Sequence, residues 1–213
     1  MGKSNKKQNG SSTKERFFRK LFINNNCMEE VLKDEIDCID KTFKNEIAEW
    51  NQPAKLIILA ECPLECDSYF YNRPHQFLSL LFKQHCKIPD NENIVTYLRA
   101  NGILVLDIYK YPLPSCCYRE DTKNILYDDS YINNKIIDLR NRGIINDNTK
   151  FVFRYKRLIN KKLYNKPALK NLNYCLVNNT HEPLGIDANA AKLNYSLVKL
   201  GCICKNIPNK KVI

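Results

Sequence analysis

The sequence predicts an α/β protein, a three-layer α/β/α sandwich with a central four-stranded, mainly parallel sheet. Three observations lead there. Two short runs, Leu56–Leu59 and Ile103–Leu106, are apolar at every position, which is how a strand buried on both faces reads. Segments of helical period separate the runs, and strand–helix alternation implies parallel pairing through right-handed crossovers. Both runs stop at a carboxylate, Glu61 after Ala60 and Asp107 after Leu106. Open α/β sheets bind ligands just beyond the carboxyl ends of such strands.

Taken in order, residues 1–14 are rich in Gly, Ser, Asn and Lys without an apolar period, so a disordered basic tail is expected. Phe17, Phe18, Leu21 and Phe22 beside Arg16, Arg19 and Lys20 fit a short basic helix over 15–23. Val31, Leu32, Ile36, Ile39, Phe43, Ile47 and Trp50 keep helical spacing, predicting a helix over 28–50 whose apolar stripe faces the core. Asn51-Gln52-Pro53 ends it, and the first strand follows in Lys55–Asp67, KLIILAECPLECD. Pro74 suits the first turn of a helix carrying Phe77 to Phe82. A short helix over 91–100 precedes the second strand at 102–107, and a loop rich in Tyr, Pro and Cys follows at 109–118. A helix over 129–142 then leads to the third strand at 150–154. A further helix starts in 156–163, a fourth strand occupies 171–177 and ends in Asn178-Asn179-Thr180-His181, and a helix over 189–200 closes the chain. The resulting division is a tail at 1–14, N-terminal helices at 15–52 and an α/β domain at 53–213.

The 213 residues are 44% hydrophobic and 27% charged, ordinary proportions for a chain able to build one sizeable core. The net charge of +11 favours polyanionic partners, nucleic acid first among them; the plainer reading is a Lys- and Asn-rich composition inherited from an AT-rich genome. No stretch approaches the roughly 18 apolar residues of a membrane span, and the basic N-terminus lacks the apolar core of a secretory signal. No membrane association is therefore expected, and the chain reads as intracellular, cytoplasmic or nuclear. Its ten cysteines are then expected as reduced thiols. Cys62-x3-Cys66, Cys116-Cys117 and Cys202-x-Cys204 lack the paired C-x2-C spacing of a structural zinc site. Oligomeric state is not legible.

The strand ends resemble those of the uracil-DNA glycosylase superfamily. Ala60-Glu61-Cys62-Pro63-Leu64 stands where that family has G-E-x-P-G or G-Q-D-P-Y, and keeps the Glu and Pro. Gly102-Ile103-Leu104-Val105-Leu106-Asp107 is similar to the family's G-V-L-L-L-N, with Asp in place of Asn. His181-Glu182-Pro183-Leu184 is similar to its H-P-S-P-L loop but one residue shorter. The resemblance spans about Lys55 to Leu200 with the motifs in family order. Two family glycines are replaced by Ala60 and Leu64, where the backbone of the family approaches the nucleotide. Some members carry an iron–sulfur cluster on four cysteines; this chain lacks that spacing, so neither a metal nor another cofactor is expected.

The resemblance implies a base-excising or nucleic-acid-binding protein, with DNA the expected polymer. Excision needs an extrahelical base, a carboxylate near the attacking water or the developing sugar cation, and a donor to the leaving base. Glu61 is the expected carboxylate, helped by Asp67, and His181 the expected donor. Tyr69, Phe70, Tyr71 and His75 are expected to stack on the base, and Arg73 and Lys110 to contact the backbone. Asp107 is the informative departure, because an ionised Asp only accepts hydrogen bonds whereas the family Asn both donates and accepts. Poor uracil excision is expected, and a base with adjacent donors, such as the N–H and amino group of guanine, fits better.

Each residue also has a plainer role. Glu61 can cap a helix or bind loop amides, His181 sits in a turn-forming sequence, the aromatics can pack the loop, and lone cations on a basic protein are commonly solvated surface. Three function classes stay open: a glycosylase with altered base choice, a nucleic-acid-binding member without catalysis, and an unrelated α/β enzyme acting on a nucleotide or small anion.

Overall fold

The computed structural model describes residues 32–61, 66–72, 93–110, 127–177 and 181–185. The tail at 1–14, the helices expected near 15–23, 77–82 and 189–200, most of the 109–118 loop, and Arg73 and His75 lie outside the described residues.

Helix α1, Lys33–Ala48, buries Ile36, Ile39, Phe43 and Ile47 along one stripe, so the apolar period was a true core signal. Its buried Glu46 accepts from the Trp50 indole at 3.1 Å and pairs with Arg99 at 3.4 Å, joining α1 to helix α2, Ile94–Ala100. Asn93 caps α2 by accepting from the Val95 amide at 2.9 Å, and Asp128 caps helix α3, Asp129–Asn141, in the same way. Gly102 leaves α2 at φ +73°, and a Cβ there would meet Lys55 Cγ at 3.0 Å. The first residue of the second motif is thus a glycine needed to turn the chain from helix into strand.

Strands β1 (Leu56–Ala60), β2 (Ile103–Asp107) and β3 (Lys150–Phe153) form a parallel sheet in the order β2-β1-β3. Ala60 faces Asp107 across one ladder and Leu59 faces Phe153 across the other. Every residue of β1 and β2 is buried, which is why these strands read as continuous apolar runs rather than alternating ones. The architecture is mixed α/β, an open parallel sheet flanked by helices. Helix α4, Lys156–Asn160, follows β3 and ends sooner than expected, because the chain turns through a left-handed Lys162 into a 3-10 turn at Leu163–Asn165.

The expected fourth strand at 171–177 is not continuous. Tyr174 bridges Phe151 and Gly185 bridges Phe153, both parallel, while Leu176 and Pro183 pair antiparallel between them. The described segments thus meet β3 at Tyr174 and again at Gly185, and they pair with each other between those points. The described residues therefore hold three strands and three isolated bridges rather than four strands. Gly185 must be small here, since a Cβ would lie 2.9 Å from Ile159 Cδ1 and 3.0 Å from Lys156 Cα on α4.

The cysteine expectation is also corrected. Cys38 on α1 is joined to Cys66 in a disulfide with Cα atoms 6.0 Å apart. Helical geometry accounts for it. Glu35 and Cys38 lie three residues apart on one face of α1, and both hold residue 66, Glu35 by accepting from its amide at 2.7 Å.

Among the described residues β2 lies at one edge of the sheet, and Tyr71 closes part of that edge. Its hydroxyl donates to the Val105 carbonyl at 2.7 Å and accepts from the Val105 amide at 2.8 Å, so both outward groups of that residue are satisfied. Tyr71→Phe removes both bonds and leaves two backbone groups unsatisfied. Urea unfolding should show a loss of about 1–3 kcal/mol; a change within error would show that water replaces the hydroxyl at no cost.

Candidate functional site

The sheet order makes the carboxyl ends of β1 and β3 a switch point. The chain goes from β1 to β2 on one side and later to β3 on the other, the arrangement beside which open α/β sheets bind ligands. Glu61 stands at this edge as the residue after β1. Its backbone is held where the β1–β2 ladder runs on, Ile108 donating to the Ala60 carbonyl at 3.1 Å and Tyr109 to that of Glu61 at 2.9 Å. Its side chain is 7% exposed and its carboxylate is gripped by Arg157 of α4, Nε donating to Oε1 at 2.7 Å and Nη2 to Oε2. A two-pronged guanidinium–carboxylate contact fixes orientation as well as charge.

The exit of β3 supplies the rest of the rim. The Arg154 amide donates to the Leu59 carbonyl at 2.9 Å, extending the β1–β3 ladder. The guanidiniums of Arg154 and Arg157 lie over the Tyr155 ring, 4.7 and 4.3 Å from its centroid, at cation–π distance. Sequence reasoning noted Arg154 as a strand end but missed Tyr155 and Arg157. The signal was available in Arg154-Tyr155-Lys156-Arg157, an aromatic interleaved with cations directly after a buried strand.

Asp107 ends β2 beside Ala60 and is 8% exposed. Burial pushes its carboxyl up to about 6, against the opposing pull of the positive charges of Lys135 and Arg154. Lys135 itself is half-buried on α3, with its ammonium 3.1 Å from Asp40 of α1 and over the rings of Phe43 and Tyr131 at 4.7 and 4.4 Å. Desolvation lowers its affinity for the proton, and Asp40 opposes that. Below about pH 6 Asp107 is mainly a neutral acid, which donates and accepts like an amide.

The remaining sequence-selected residues distribute unevenly. Tyr69 and Phe70 are buried, and both contact Tyr71 edge-on with centroids 5.5 and 5.0 Å away, so the three rings pack beside β2. Asp67 is exposed on the 3-10 turn Cys66–Ser68, and Lys110 is half-buried just past β2. His181 is exposed, four residues before the Gly185 bridge to β3; the Glu61 carboxylate accepts from Arg157. Glu61 and Asp107 are brought to neighbouring strand ends, and residues 181–185 join the same sheet on the far side of β3.

Among the described residues, no three His, Cys, Asp or Glu side chains converge as a metal-holding group, and no helix is long and apolar enough to cross a membrane. A cavity of about 320 Å³ opens between α1 and α3, walled by Phe43, Ile47, Tyr131 and Lys135 among others. It backs onto the lysine that faces Asp107 and is not lined by Glu61.

Asp107 makes stability depend on pH with a definite sign. Its folded-state value lies above the ordinary 3.8, so the stability it allows is full below about pH 4 and is lost as pH rises through about 6. Asp107→Asn removes that titration. Relative to wild type, the variant should gain about 3 kcal/mol between pH 4 and 8, read from urea midpoints across that range. A difference independent of pH would mean that Asp107 does not titrate in this interval.

Comparison with protein-family models, with curated proteins and with solved structures gave no match to this chain.

Proposed function

We propose that this chain is a divergent member of the uracil-DNA glycosylase superfamily that binds DNA and releases a damaged base other than uracil. On this reading the domain at 53–213 is a three-layer sandwich, with the broken 174–185 segment holding the fourth position of a mainly parallel sheet, and the protein works in the cytoplasm or nucleus. The observation that carries the reading is the grouping of Glu61, Asp107 and Arg154–Arg157 at the carboxyl ends of adjacent strands around a switch point, where α/β sheets bind ligands. The net charge of +11 supports a polyanionic partner.

The chemistry assigned is hydrolysis of an N-glycosidic bond. Water adds to the sugar carbon, the carbon–nitrogen bond breaks with its electron pair on the base, and the base gains a proton. Glu61 takes the proton from water, with Asp67 in support, and His181 donates to the departing base. Asp107 reads the base edge: ionised, it accepts from adjacent donors of the guanine type, and protonated, it offers the mixed pattern that uracil needs. Lys110 and Arg73 contact the backbone, and His75 is the stacking residue of this proposal, Tyr69, Phe70 and Tyr71 being packed beside β2.

A second reading has one observation in its favour. The Glu61 carboxylate is occupied by Arg157, and a carboxylate so held is a poor base, which suits a nucleic-acid-binding member without catalysis.

The test is abasic-site formation by purified protein on oligonucleotides, each with one altered base, at pH 5.5 and pH 8. At pH 8, bases with a guanine-type donor edge should be released in preference to uracil, with uracil gaining at pH 5.5. Glu61→Gln should slow release by about 100-fold or more. DNA binding whose affinity falls steeply with salt, without abasic sites on any substrate, would select the binding member. Absence of both DNA binding and base release would overturn the proposal.

A further inference from the structure

The pair at the switch point joins a sheltered group to an accessible one. Glu61 is 7% exposed and Arg157 is 50% exposed, so an incoming anion meets the guanidinium before the carboxylate. The planar fork of an arginine matches phosphate as well as carboxylate. Arg154 shares the Tyr155 ring with Arg157, which puts a second cation beside the first at the rim. Lys156 between them in sequence is exposed.

We propose that Arg157 is an exchangeable lock on Glu61: a phosphate group reaching the carboxyl edge of β1 and β3 takes the Arg157 guanidinium, and the Glu61 carboxylate is released. The proposal rests on Glu61 being the functional carboxylate of this site. Without phosphate, the two prongs of Arg157 occupy both carboxylate oxygens, and the group is held away from proton transfer. With phosphate, Arg157 turns outward on its exposed side while Tyr155 keeps a flat surface under both guanidiniums. The ligand class is a phosphate group, supplied by a polynucleotide backbone or by a free phosphate compound. Arg157 is a positioning residue in this scheme, acting through Glu61.

The full-length protein is titrated with inorganic phosphate by calorimetry and with a fluorescein-labelled single-stranded oligonucleotide by anisotropy, for wild type, Glu61→Gln, Arg157→Ala and the double variant. Glu61→Gln unlocks the arginine and should tighten binding of both probes by about fivefold; Arg157→Ala should weaken both. On the Arg157→Ala background, Glu61→Gln should change little, which separates unlocking from a general gain in positive charge. Glu61→Asp, which keeps the charge but shortens the reach, should tighten binding by a smaller factor and carries the test if Glu61→Gln does not fold. Phosphate affinity equal in wild type and both Glu61 variants overturns the lock; if the oligonucleotide still binds, the nucleic-acid reading survives. Phosphate binding tightened by Glu61→Gln, with no oligonucleotide bound, upholds the lock and refutes the nucleic-acid reading. Binding of neither probe by any variant overturns both.

Discussion

A carboxylate leaving a strand buried on both faces must find a compensating charge, and Glu61 finds it 96 residues later in Arg157. Desolvating one ion is expensive, and removing either partner of such a pair strands the other. The contact therefore constrains more than two side chains. It ties α4 to the end of β1, on the side where β3 lies beside β1 and Gly185 passes close to the start of α4.

The two carboxylates at this edge are handled differently. Glu61 is neutralised by a guanidinium in direct contact. Asp107 is buried at the end of the neighbouring strand, and the charges of Lys135 and Arg154 do not fully offset its desolvation. Adjacent carboxyl groups in unlike environments can take unlike roles, one ionised and one able to donate a hydrogen bond. Lys135 links this edge to the α1–α3 groove, because it is the ammonium that both Asp40 and Asp107 face.

Much of the architecture was legible because it followed from single physical rules. Continuous apolar runs gave strands buried on both faces, the stripe from Ile36 to Ile47 gave α1, and Asn93 and Asp128 stand at helix starts where capping chemistry puts them. The fourth strand shows only as isolated bridges among the described residues, because its composition suits a strand whereas its pairing at Tyr174, Leu176, Pro183 and Gly185 is set by tertiary contacts. The Cys38–Cys66 bond was missed because compartment arguments address cysteines as a class, while Glu35 and the turn of α1 bring these two together. At the site, strand-end reasoning located Glu61 and Asp107. It overlooked Arg157, whose partner is remote in sequence, and it counted Tyr71 as available when its hydroxyl serves the backbone of β2.

The central claim is that the carboxyl edge shared by β1 and β3 is where this protein meets nucleic acid. Amide chemical-shift mapping of the isotopically labelled full chain during titration with a single-stranded oligonucleotide tests it most directly. The largest shifts should fall at Glu61, Lys110, Arg154 to Arg157 and residues 181–185, all weakening together as salt rises. Shifts confined to the α1–α3 groove around Phe43, Tyr131 and Lys135, with the strand ends unmoved, would contradict it.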